Sequence, residues 1–301
     1  MKKQEHSKRL TYTFKSDILF KMLFSKNQNL LKRLVSVILK INPESIAEFV
    51  VTNSEIAPEE IETKFCRIDI RMRVNEELVS LEIQVENRGN YPERTLYYWA
   101  REFSSALLTG EDYIRLPKTI LISILGFTLF KGNEVHSEFM AMEVNRHEPL
   151  TDKMSLHYFE LPKLTGYDAK DELSLWLALF DAETEGELNQ LLELEVDFVK
   201  QAVQAYRTIT ADEKFREMER KREMQRHDEA SALGHARRMG ASEEREKWQL
   251  VVSGKEAELS EKEAVISERD AVISEKVEEL SKKEAEIAKL HAELETFRKK
   301  N

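Results

Sequence analysis

Apolar positions recur every three or four residues early in the chain: Ile18, Leu19, Met22 and Leu23, then Leu30, Leu31, Leu34, Val35 and Ile38. That spacing lays them on one face of a helix and predicts two helices beginning near Ser16. Asn42–Pro43 stops the second, and the acidic stretch from there to Lys64 reads as a connection. The period then falls to two. Ile68, Ile70, Met72 and Val74 alternate with Asp69, Arg71 and Arg73; beyond Asn75–Glu77, Leu81, Ile83 and Val85 alternate with Glu82, Gln84 and Glu86. Two alternating runs around a short polar turn predict a β-hairpin.

A helix follows in PERTLYYWAREFSSALLTG, with Pro92 in its first turn and Gly110 at its end. The almost wholly apolar TILISIL, from Thr119, suits a central strand buried on both faces. SEFMAMEV and LHYFELPKL supply two further strand candidates, so residues 12–165 read as one α/β domain, a mixed sheet flanked by helices, behind a basic tail at 1–11. Three helical patterns after Gly166 (DELSLWLALF, EGELNQLLELE, VDFVKQAVQAYRTI) form a helical extension over 166–250, apolar enough to fold back on the sheet or on each other. Its last part, from Ala211, thins to a solvated helix. Residues 251–301 repeat in sevens, with Leu259, Ile266, Ile273, Leu280, Ile287 and Leu294 on one line. The second line is mostly charged, which predicts a marginal coiled coil stabilised by homo-oligomerisation; the alternative is a single charged helix.

Composition narrows the class. Of the 301 residues 34% are charged, and the one cysteine, Cys66, excludes an internal disulfide and fits a reducing cytoplasm. No apolar run is long enough to span a bilayer and no signal-peptide pattern follows the basic start, so the expectation is a soluble cytoplasmic protein with no membrane partner. The formal net charge of −10 disfavours a polyanionic partner, yet the first forty residues hold ten basic side chains against Glu5 and Asp17. That stretch is either a phosphate-contacting surface, with Lys15 and Lys21 as candidates, or a solvated helix face. The histidines lack zinc spacing and read as surface or packing residues, while no Gly-rich phosphate loop or Ser-His-Asp order stands out.

The hairpin carries the chemistry. Glu82 and Gln84 point the same way, roughly 6.5 to 7 Å apart along the strand, and Asp69 can lie across from them. Converging carboxylates raise each other's pKa unless a cation neutralises them. Magnesium, with manganese as an alternative, would accept Asp69, Glu82 and the backbone carbonyl of Ile83 as hard oxygen ligands. Such an ion lowers the pKa of a bound water and stabilises charge on a phosphoryl oxygen, so the implied reaction is phosphodiester hydrolysis, with the Gln84 amide holding the attacking water. Taken alone, the same pattern also fits an ordinary solvated sheet face.

An Asp, a turn and Glu-x-Gln on the next strand, between helices, resembles the PD-(D/E)xK nuclease superfamily. Within it the chain is most similar to the Rpn recombination-promoting nucleases, or putative transposases. SDILFKMLFS, RIDIRMRV with LEIQVEN, RTLYYWAREFSSALLTGEDYIRLPKTILISIL and DEKFREMERKREMQRHDEASALGHARRMG carry the resemblance in order, from residue 12 to about residue 245. It implies a restriction-endonuclease-like fold and a metal-dependent DNA endonuclease tied to recombination or mobile elements. Asp69 and Glu82 would be ligands, Gln84 would stand at the superfamily's lysine position, and Asp17 would complete the acidic cluster or simply serve its helix N-terminus. Arg94, with Tyr97 and Tyr98, would touch phosphate, stack or pack. Two departures are plain: no Pro precedes Asp69, and Gln replaces Lys. A non-catalytic nuclease fold acting as a binding or coiled-coil module, and an RNA substrate, are the competing readings.

Overall fold

The computed structural model describes residues 8–52, 70–87 and 89–298, with side chains through residue 294. Asp69, Ile68 and Cys66 lie outside the described residues. The chain divides into two compact units, Met1–Met224 and Gln225–Asn301.

The first unit is built on a six-stranded sheet, ordered β1-β2-β3-β4-β6-β5. Its strands are β1 (Phe49–Val51), β2 (Ile70–Val74), β3 (Glu77–Gln84), β4 (Thr119–Leu125), β5 (His136–Phe139) and β6 (Met154–Glu160). The hairpin pairs antiparallel with Ile70 against Leu81 and Val74 against Glu77. Its tight connection needs a left-handed residue, and Asn75 takes it at φ 52°. The amide side chain that makes this conformation tolerable also ties in β1, since Asn75 Oδ1 accepts from Ala47 N at 2.9 Å and Glu48 N at 3.1 Å. β1 falls in the stretch expected as a connection; three residues are too few for a period to show.

β3, β4 and β6 run parallel at the centre. TILISIL is buried at every position, as a strand covered on both faces must be. Of the two other strand candidates, only the first three residues of SEFMAMEV enter the sheet, in the edge strand His136–Phe139, and the second shifts to Met154–Glu160.

Alternation sorts the side chains onto two faces. Val79, Leu81 and Ile83 of β3, and Ile120, Ile122 and Ile124 of β4, enter the main core, together with α1 (Asp17–Lys26) and α2 (Gln28–Leu39). The same core takes in α4 (Glu172–Asp181), α5 (Glu185–Glu193) and α6 (Asp197–Ala211). Phe24 packs on both Trp176 and Phe180, and Trp176 on Phe198, so α1 and the later helices share one aromatic cluster. The opposite face carries a smaller cluster of Tyr91, Leu121, Leu125, Leu156 and Tyr158, roofed by α3 (Tyr91–Ser105). The helix α7 spans Glu213–Arg298. No described helix is long and apolar enough to cross a membrane.

Candidate active site

Glu82 and Gln84 lie on the α3 face of β3, because Leu81 and Ile83 take the other. Glu82 stands opposite Ser123 of β4, and Ser123 opposite Tyr158 of β6, making a polar row across three neighbouring strands. A carboxylate there is only 7% exposed, which is costly unless it is hydrogen-bonded. The donor comes from α3: Tyr91, at its first position, gives its hydroxyl to Glu82 Oε1. Burial first, then the adjacent charge of Glu82, push the Tyr91 phenol well above its ordinary pKa, against smaller opposing effects of Ser123 and Arg94. Tyr91 is therefore a neutral, fixed donor at neutral pH. Tyr158 is raised too, by burial and by Glu82, although its 2.6 Å contact with the Thr95 hydroxyl works against the shift.

One helical turn into α3, Arg94 reaches the same site. Its Nη2 donates to Gln84 Oε1 at 2.8 Å and stands 4.0 Å from Glu82 Oε1, and its guanidinium lies 4.7 Å from the centre of the Tyr91 ring and 5.9 Å from that of Tyr98. The nitrogen at the other end of the Gln84 amide donates to the Glu86 carbonyl at 3.0 Å. Gln84 is thus held at both ends, with its dipole turned to accept from the cation. Buried Arg94 Nε has no hydrogen-bond partner among the described residues. Beside Glu82 lies a cavity of about 10 Å³, lined in part by Arg71, Ser80, Trp99 and Glu102, which has room for about one water.

The described contacts unite Glu82, Gln84 and Arg94. Of the other candidates, Asp17 and Lys15 are engaged elsewhere and Lys21 is buried. Asp17 sits at the start of α1, where Oδ1 accepts from Ile18 N at 2.9 Å and Oδ2 pairs with Arg222 at 3.1 Å. Lys15 pairs with Asp181 at 2.8 Å and Glu183 at 3.1 Å; burial lowers its pKa, but these two carboxylates outweigh it and the net shift is upward. Lys21 is buried within α1, at 2% exposure. Tyr97 is exposed, whereas Tyr98 flanks Arg94.

Sequence reasoning missed Tyr91, which stands just before the expected helix start at Pro92, and Ser123, hidden inside an apolar run. The signal available for Ser123 was register, which requires knowing that β3 and β4 are parallel neighbours. The histidines also hold a surprise: His136 on β5 and His157 on β6 stack with rings 5.3 Å apart and ring nitrogens 3.1 Å apart.

The donors fit a hard divalent cation in kind, a carboxylate and a main-chain carbonyl on one strand. Among the described residues no three His, Cys, Asp or Glu side chains cluster for a metal.

A mixed sheet with a parallel centre, helices on both faces and a buried Glu-x-Gln beside a helix-borne arginine defines a restriction-endonuclease-like fold. The chain belongs to the PD-(D/E)XK nuclease family transposases, whose family model matches residues 14–236. No curated protein and no solved structure matches it. Membership makes it a nuclease-type protein and implies a DNA substrate and divalent-metal chemistry.

Proposed function

We propose that the protein is a Mg²⁺-dependent DNA endonuclease, with Mn²⁺ able to substitute, acting in recombination or mobile-element biology. The observation that carries this reading is Glu82, a buried carboxylate kept in place by a neutral phenol and faced by an arginine. Asp69, Glu82 and the Ile83 carbonyl would hold the ion, which supplies an acidified water and stabilises charge on the phosphoryl oxygen. The reading requires Asp69 to come opposite Glu82, one step beyond the Ile70–Leu81 pair.

The remaining work falls to the chain's own side chains. Tyr91 orients Glu82 and, being neutral, adds no negative charge. The superfamily's lysine supplies a cation that Gln84 cannot. Arg94, bonded to that glutamine, supplies it here, because its guanidinium is permanently charged and suited to a phosphate oxygen. Its unmatched Nε is a further donor. Gln84 keeps one amide N–H with which to orient a water. Asp17, paired with Arg222, serves the helix start, and Lys15 and Lys21 serve the fold more than the substrate.

The test is conversion of supercoiled plasmid by the full chain with Mg²⁺, Mn²⁺ or EDTA, beside Asp69→Ala and Glu82→Ala, with a labelled single-stranded RNA in parallel. Metal-dependent nicking lost in both variants supports the reading. Cleavage of the RNA alone moves the substrate class.

One observation favours a non-catalytic binding module instead. A guanidinium 4.0 Å from Glu82 already balances part of the charge that would attract a cation. DNA binding by folded wild-type protein without cleavage in any of the metals would establish that reading.

A further inference from the structure

The second unit carries a surface whose charge pattern selects a partner. Within α7, Leu259, Ile266, Ile273, Leu280, Ile287 and Leu294 repeat every seven residues, and every one is more than half exposed. At 3.6 residues per turn they form a single apolar stripe, which the helix alone leaves facing water. The residues three further on from the first four are Lys262, Arg269, Lys276 and Lys283, with Leu290 following Ile287; those four further on are Glu263, Asp270, Val277, Glu284 and His291. Three residues of rotation place the first set about 60° to one side of the stripe, and four place the second about 40° to the other. From Leu259 to Glu284 the stripe therefore has a basic flank and, on its other side, a flank that is acidic at three of four positions.

Two copies of such a surface distinguish their own orientations. In a parallel two-helix pair the symmetry axis runs along the helices, so the left flank of one copy faces the right flank of the other; in an antiparallel pair each flank faces itself. Basic meets acidic only in the first case. With the two chains in register, Lys262 of each stands about one residue in height from Glu263 of the other, Arg269 from Asp270, and Lys283 from Glu284. Antiparallel pairing turns each flank toward itself, setting Arg269 near Lys283, Lys276 near its own copy and Asp270 near Glu284, like charges that repel. The contact of Lys283 with Glu279 in its own helix, at 2.7 Å, is exposed and weak enough to rearrange.

We propose that residues 259–294 dock a second copy of this chain, parallel and in register. The inference rests on the tail being a self-association module, and it adds the orientation. Parallel pairing attaches both nuclease units at the same end of the paired segment. Antiparallel pairing would set the two starting points about 50 Å apart over these thirty-five steps.

The experiment uses the full chain with Cys66→Ser and a single new cysteine, Leu259→Cys or Leu294→Cys, beside an unsubstituted control followed by sedimentation. A two-chain mass for the control, and disulfide-linked homodimers in both single-cysteine proteins under mild oxidation, are expected. Cross-linking only when the two variants are mixed would overturn the orientation while leaving self-association intact. A one-chain mass for the control at micromolar concentration would overturn both, and a mass of three or more chains would overturn the two-helix arrangement. None of these readouts depends on cleavage, so an inactive nuclease site leaves the test unaffected.

Discussion

Arg94 and Gln84, ten residues apart on a helix and a strand, meet through one 2.8 Å hydrogen bond in which the glutamine oxygen accepts from the guanidinium. On the proposed reading, in which Gln84 would stand at the superfamily's lysine position, the side chain there is an acceptor that holds an arginine instead. The pairing dictates what substitutions should do. Arg94→Ala removes the cation that stands 4.0 Å from Glu82, and plasmid nicking should fall about 100-fold, the loss typical of deleting one charge-stabilising donor. Arg94→Lys keeps the charge without the planar fork and should recover part of that rate. Gln84→Lys should not improve turnover, because it sets an ammonium against the guanidinium. Equal rates for wild type and Arg94→Ala would remove Arg94 from the reaction.

Tyr91→Phe tests the other support of Glu82. The ring stays in the apolar cluster and only the hydroxyl is lost, leaving a buried carboxylate one donor short. Such a deletion costs about 1–3 kcal/mol. Urea denaturation should show that loss at pH 7. A midpoint equal to wild type would mean that Glu82 does not depend on the phenol.

The parts of the fold that could be read from sequence were those whose periodicity is long or whose punctuation is strong: the two N-terminal helices, the hairpin with its Asn75 turn, the buried TILISIL strand and the helical character of the C-terminal segment. Short or edge elements could not be read. β1 holds three residues, and SEFMAMEV leaves the sheet after Phe139. At the site, Glu82 and Gln84 were legible because two-residue alternation sends them to one face. Tyr91 was not, and Arg94 entered only through the resemblance, since both meet them through the angle at which α3 crosses the sheet, and no local pattern encodes that angle. Lys15 illustrates the converse. Its charge was visible in the sequence, but its partners Asp181 and Glu183 lie more than 160 residues away.

Shared aromatic packing makes a prediction about autonomy. A chain ending at residue 165 would lose α4, α5 and α6, and with them Trp176, Phe180 and Phe198. Phe20 and Phe24, now buried at 1% and 0% exposure, would lose these neighbours and face water in their place. Deleting one large aromatic side chain from a core costs about 3–5 kcal/mol, and the truncation removes three, against a total stability of about 5–15 kcal/mol. The 1–165 fragment should show no cooperative thermal transition, whereas residues 1–224 should melt cooperatively. A cooperative transition in the shorter fragment would show that the sheet and its first helices suffice.

Acid sensitivity should trace to the stacked histidines. Burial lowers His157 to about 4, with the carboxylate of Glu138 opposing and His136, Lys118 and Lys40 adding to the depression; His136 is lowered as well, chiefly by burial. On the Ser155 side, His157 Nε2 lies 2.9 Å from a hydroxyl that donates to Glu138. A histidine depressed in the folded state stays neutral there while the unfolded chain takes up a proton near pH 6.5. Stability is therefore complete above that pH and declines as pH falls from about 6.5 toward 4. For His157 alone the full loss is about 3 kcal/mol. His157→Gln retains a polar partner for Ser155 and has no proton to take up in this range. Its unfolding free energy should start lower at pH 7.5 and fall less steeply between pH 6.5 and 4.5 than that of wild type. Parallel slopes for the two proteins across that window would assign the acid sensitivity to other groups.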